Sequence, residues 1–128
     1  MTSVLISCRV YPSEDPEKVR EAILNIFPDA SLERTGSGFE GEAGLDRFSV
    51  LIRRQKILDS TRSTMFKGIR GGSIVLHLNK QVAVVGKISF TEPKTVLGSL
   101  KVTIECDDPE ALIDKIAPRT VNGEEVRG

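Results

Sequence analysis

The sequence predicts an α+β domain: a mainly antiparallel sheet with helices packed on one face, in the order β-α-(β)-α-β-β-β-α. Three observations predict it. Apolar residues alternate with period two at the N-terminus and again over 74–106. Between and after these runs they recur at spacings of three and four, the helical period. The triplets Asp15-Pro16-Glu17 and Asp108-Pro109-Glu110 each follow an alternating run. Asp is a good N-cap, Pro suits the first helical position, and Glu complements the positive end of the helix dipole. Two such short matches are too few to signal a duplication.

Each element follows in order. Val4, Ile6, Cys8 and Val10 share one face of a first strand, Ser3–Val10. Val19, Ala22, Ile23, Ile26 and Phe27 form the stripe of a first helix that begins at Pro16 and is stopped by Pro28. Ser31–Arg34 reads as a short strand. Gly36, Gly38, Gly41 and Gly44 then punctuate a loop or loose hairpin, the most mobile stretch expected. The longest helix is expected from Leu45 to about Gly68, with Leu45, Phe48, Leu51, Ile52, Leu58, Met65 and Phe66 as its stripe. Arg62 falls inside that stripe, where a charge is costly unless paired; Asp59, three residues earlier, is the expected partner. The second half reads as three strands. Ile74, Leu76 and Leu78 alternate first; Asn79-Lys80-Gln81 reads as a tight hairpin turn; Val82–Phe90 alternates next. A loop from Thr91 to Gly98 leads to Leu100, Val102, Ile104 and Cys106. A last helix carries Leu112, Ile113 and Ile116 and ends at Pro118. The expected organisation is one domain over 1–117 and a frayed tail over 118–128.

Composition narrows the function. With 128 residues, 39% apolar and 28% charged, the chain suffices for one ordinary core. No stretch is long and apolar enough to span a membrane, which takes roughly 20 residues. No signal peptide is visible at Met1-Thr2-Ser3-Val4, so a cytoplasmic location is expected. Cys8 and Cys106 sit in alternating runs and read as reduced core thiols, not as a disulfide framework or metal site. His77 is the single histidine, and nothing local in sequence supplies a nucleophile. Acidic residues concentrate where helices begin and are explained by capping; no ligand set has EF-hand or zinc spacing. Gly36-Ser37-Gly38 and Gly71-Gly72 match neither a Walker loop nor a dinucleotide fingerprint. No enzyme activity, cofactor or metal is expected.

The zero net charge conceals segregation. Residues 1–46 carry −5, residues 47–101 carry +9, and residues 102–128 carry −4. A basic middle between acidic ends points to a polyanionic partner. The candidate contacts are Arg53, Lys56 and Lys67 on a helix face, with Arg54 and Arg70 nearby, and Arg9, Tyr11, His77, Asn79, Lys87 and Lys101 on the uncovered sheet face. Lys and Arg neutralise phosphates. An uncovered face must in any case be polar, and strand lysines also discourage edge pairing. The same segregation suits a homodimer or another protein-interaction module with no nucleic-acid binding.

Three stretches resemble a known family: 54–62 (RQKILDSTR), 76–87 (LHLNKQVAVVGK) and 97–102 (LGSLKV). They are similar to a family of small uncharacterised archaeal proteins described as predicted RNA-binding, exosome-associated subunits, with a fold like the ribosomal L-five-type domain. The resemblance implies RNA as the partner, within a larger RNA-processing assembly, and brings no catalytic residues. It adds Lys80 and Gln81, at the expected strand reversal, to the candidate contacts. The expected RNA site is therefore Arg53, Lys56, Lys67, Asn79, Lys80, Gln81, Lys87 and Lys101, touching backbone and not bases.

Overall fold

In a computed structural model, residues 2–92, 98–121 and 124–125 are described, the last two by their backbone alone. Alternation dictates the first strand, β1 (Ser3–Arg9), which buries Val4, Ile6 and Cys8 and leaves Leu5 and Arg9 exposed. Helix α1 (Pro16–Ile26) starts as its sequence demands, with Asp15 Oδ1 accepting the Glu17 N–H at 3.0 Å. Strands β2 (Ser31–Arg34) and β3 (Gly38–Ala43) follow. Of the two alternatives for the glycine-punctuated stretch, the hairpin holds and the loop does not: β3 pairs antiparallel with β2 and also with β1, hydrogen-bonded on both sides. Its small residues admit close neighbours: a Cβ on Gly41 would lie 2.0 Å from the Ser31 carbonyl oxygen.

The long helix divides into α2 (Asp46–Arg54) and α3 (Leu58–Lys67). Lys56 adopts φ 58°. The Lys56 N–H donates to Arg53 O (3.1 Å) and the Ile57 N–H to Ile52 O (3.0 Å), the paired bonds of a Schellman cap. Gln55 fixes the break. Its Oε1 accepts from the Ile88 N–H (2.7 Å) and its Nε2 donates to Ile88 O (2.9 Å). Neither Gly nor Asn marks this stop, so the periodicity ran straight across it.

Strands β4 (Ile69–Arg70) and β5 (Ser73–Leu78) form a hairpin turned at Gly71, whose φ of 64° favours glycine. The next expectation fails. Residues 79–84 are not a hairpin tip and a strand. Asn79 caps a short helix, α4 (Lys80–Val84), its Oδ1 accepting the Val82 N–H at 3.1 Å. Asn25 of α1 donates to the carbonyls of Ala83 and Val84, both at 3.0 Å, and satisfies the other end. Capping at both ends overrides the strand propensity of the valines. Of residues 82–92, only 89–91 run beside β5, through Asn79 N–H to Ser89 O (2.8 Å) and Thr91 N–H to His77 O (2.9 Å). The expected loop over 91–98 lies largely outside the described residues.

With 82–90 out of the sheet, β6 (Leu100–Glu105) pairs directly with β5 and with β1. The order is β2-β3-β1-β6-β5-β4, antiparallel throughout. Helix α5 (Pro109–Ile116) repeats the α1 start, with Asp108 Oδ1 accepting the Ala111 N–H at 3.1 Å. Beyond it Thr120–Val121 (β7) pairs with Glu124–Glu125 (β8) in the tail region.

One core joins the helices to one face of the sheet. It includes Ile6, Ile74, Leu76, Leu78, Leu100 and Ile104 from the strands, with Phe27 stacked on Phe48 at 6.2 Å between helices. Cys8 lies in it, and burial pushes its thiol up to about 11. Arg62 finds a partner other than Asp59: its guanidinium meets Asp114 of α5 at 2.7 Å, donates to Ala117 O and lies over the Phe66 ring. Asp59 instead accepts from the Thr120 hydroxyl at 2.6 Å. Among the described residues no helix is long and apolar enough to cross a membrane.

Gly68 joins α3 to the sheet. A Cβ there would lie 2.2 Å from the Val75 carbonyl oxygen, so the backbones touch. Gly68→Ala is expected to lower stability by about 1–3 kcal/mol in urea unfolding. Gly36→Ala, at a position with nothing within 4 Å, is the matched control.

Candidate nucleic-acid interface

The sheet face without helices carries the alternate strand residues. Register aligns them in rows: Glu33, Glu40, Ser7, Lys101 and His77 lie side by side across five strands. In this row the carboxylates stand on β2 and β3 and the cation on β6; Glu105, two rows away on β6, stands opposite Ser73 of β5.

A groove of about 780 Å³ opens where the Lys101–His77 end of this row meets the end of α3. Lys67 stands in the last turn of α3 and is exposed. Arg70 follows on β4 and donates to the carbonyls of Lys67 (2.9 Å) and Ile69 (2.8 Å). Cations belong at a helix C-terminus, where unsatisfied carbonyls concentrate negative charge. The close approach at Gly68 brings this helix end against β5. His77 and Lys101 are cross-strand partners on the open face and line the same groove. Phe90, Thr91 and Glu92 close its far wall, held by the Thr91–His77 backbone bond.

His77 is half-buried, with Nδ1 2.9 Å from Ser99 Oγ. Burial lowers its pKa from the usual 6.5 and Lys101 adds to the lowering, with Glu92 opposing. It is therefore neutral at pH 7. Among the described residues no group of three or more His, Cys, Asp or Glu could hold a metal ion.

Of the expected site residues, the structure brings Lys67 and Lys101 together and disperses the others. Arg53 is half-buried and donates to Ser49 O (3.0 Å) and Ile116 O (3.2 Å), tying α2 to the end of α5. Lys56 occupies the turn between α2 and α3. Asn79 is spent on capping α4. Lys80 is 6% exposed, bonded to Glu14 at 3.0 Å and to Arg9 O, and lies 5.2 Å from the Tyr11 ring. It is a core cation and not part of a basic surface. Gln81 is exposed beside it, next to α1, and Lys87 is exposed beyond α4. Glu92, Phe90 and Ser99 were missed as site residues, since their positions depend on the chain path after α4.

An antiparallel sheet with helices on one face thus carries a groove lined by Lys67, Arg70, Lys101 and Glu92. Comparison then places it. A family model described as RNA binding matches residues 3–106, and the chain belongs to that family. It is 42% identical to the UPF0201 protein of Sulfurisphaera tokodaii, over 96% of this chain and 92% of that one. It is 41% identical to the UPF0200/UPF0201 protein of Archaeoglobus fulgidus over 95% of this chain, spanning 39% of that longer relative. Among solved structures, the UPF0201 protein from Methanococcus jannaschii superposes with a TM-score of 0.85 at 34% identity, covering 99% of this chain and 100% of that one.

Proposed function

We propose that this chain is a non-catalytic RNA-binding protein that holds the phosphate backbone along the groove between α3 and β5. The observation that carries the reading is the convergence of Lys67, Arg70 and Lys101 on one concavity. The RNA-binding description of the family supports it. So does the sequence resemblance to a family described as predicted RNA-binding or exosome-associated subunits, a description that fits service within an RNA-processing assembly. Three phosphate contacts to single-stranded RNA imply that log Kobs falls with log salt at a slope of about −2. Fluorescence anisotropy with labelled RNA across a salt series measures this. A slope near zero, or no binding at low salt, rejects the reading.

His77 supplies a second signature. Protonation adds a fourth cation to the groove, so RNA affinity is expected to rise about fivefold as pH falls below 6.5 through the lowered pKa. The effect on folding has the opposite sign. The neutral imidazole contributes stability that is present above 6.5 and lost as pH falls through the folded value. His77→Gln is expected to flatten the pH dependence of binding.

A second reading, docking on another protein, is favoured by one observation. Val84 and Val85 stand 44% and 71% exposed at the end of α4, away from the groove. This corner is available to an assembly partner while RNA occupies the groove.

A further inference from the structure

We propose that the groove takes unpaired RNA and that Glu92 selects within it for bases carrying an exocyclic amino group over uracil. The inference rests on the RNA-binding reading and goes beyond backbone contact.

Two features set this groove apart from a plain phosphate track. The first is its wall. Phe90, half-buried and packed against the core, and half-buried His77 line a concavity that Lys67, Arg70 and Lys101 also line. Rings set between phosphate-binding cations are the arrangement that receives splayed, unpaired bases, whereas the bases of an A-form duplex are stacked away from such a wall. The second is the carboxylate. Glu92 is exposed and lines the same groove, where it repels phosphate. An ionised carboxylate accepts hydrogen bonds only; its donors in RNA are the 2′-hydroxyls, which every nucleotide shares, and the N–H groups on base edges, which differ between bases. Cytosine offers its N4 amino group to an acidic side chain. Uracil presents O4 in its place, and its one edge donor, N3–H, is flanked by two carbonyl oxygens that a carboxylate repels. Adenine and guanine carry amino groups and belong with cytosine.

The test compares labelled oligo(C), oligo(U) and a duplex of equal length by anisotropy at one low salt concentration, with wild type and Glu92→Gln. Oligo(C) and oligo(U) are both pyrimidine strands, so the comparison is confined to the C4 substituent and the adjoining N3. The wild type is expected to bind oligo(C) about tenfold more tightly than oligo(U), and oligo(U) more tightly than the duplex. Glutamine both donates and accepts, so Glu92→Gln is expected to erase the preference for C over U while retaining binding. Equal affinity for C and U, or a uniform gain for both in Glu92→Gln, shows that Glu92 acts only as a charge and overturns the selection. Duplex binding as tight as single-strand binding overturns the unpaired-RNA assignment. In each of these cases RNA still binds, whereas failure of every RNA to bind rejects the underlying reading itself.

Discussion

Replacing Lys80 by alanine is expected to cost about 3–5 kcal/mol of stability, the range for removing one partner of a buried ion pair. The side chains of Lys80 and Glu14 are 6% and 12% exposed and meet at 3.0 Å. Glu14 also accepts the Tyr11 N–H at 3.0 Å, and Lys80 donates to Arg9 O. The pair therefore ties the end of β1 to the start of α1 and both to α4. Removing the ammonium leaves a carboxylate facing a low-dielectric site with one backbone donor. Urea denaturation measures the loss, and Glu14→Gln/Lys80→Met is expected to recover much of it, since no buried charge then remains. Lys87→Ala, on an exposed side chain, is expected to stay within about 0.5 kcal/mol of wild type. A Lys80→Ala loss below about 1 kcal/mol contradicts the buried pair. Loss of RNA binding in a Lys80 variant therefore reports unfolding before it reports a contact.

Charge reversal of the groove is the second large effect. Each counterion released from single-stranded RNA is worth about fivefold at 0.1 M salt, so three contacts amount to about 100-fold. Lys67→Glu/Arg70→Glu/Lys101→Glu is expected to lose at least that much affinity at a stability cost of about 1–2 kcal/mol, since all three side chains are exposed and two of them sit at the α3 C-terminus. A matched triple variant at Arg54, Lys56 and Lys87, exposed but outside the groove lining, is expected to bind within a few-fold of wild type. Equal losses from both triples reject the groove and leave a diffuse electrostatic surface.

Much of this architecture was legible in the residues. Period-two runs identify β1, β5 and β6 because one face of each is buried and the other is open. Asp15 and Asp108 mark helix starts because a carboxylate cap with a following proline has few other uses. The failures share a cause. Asn79-Lys80-Gln81 followed by valines has the composition of a turn and a strand, and the distant Asn25 and Glu14, added to the Asn79 cap, make it a helix with an inward lysine. Gln55 bonding to Ile88 divides α2 from α3 without a local breaker. Tertiary partners far along the chain override local preference in both places. The site was half-legible for the same reason. Placing His77 and Lys101 on one open face needed only alternation, but making them neighbours needed the intervening segment to leave the sheet. Lys67 and Arg70 reach them only because Gly68 lets α3 touch β5.

The most direct test of the central claim is an amide chemical-shift titration of the isotope-labelled 14.0 kDa protein with single-stranded oligo(C) RNA at low salt. The account predicts that perturbed amides cluster at Lys67–Arg70, Val75–His77, Phe90–Glu92 and Lys101, and that added salt reverses the shifts. Perturbations confined to α4 and the neighbouring face of α1, or none at all, contradict it.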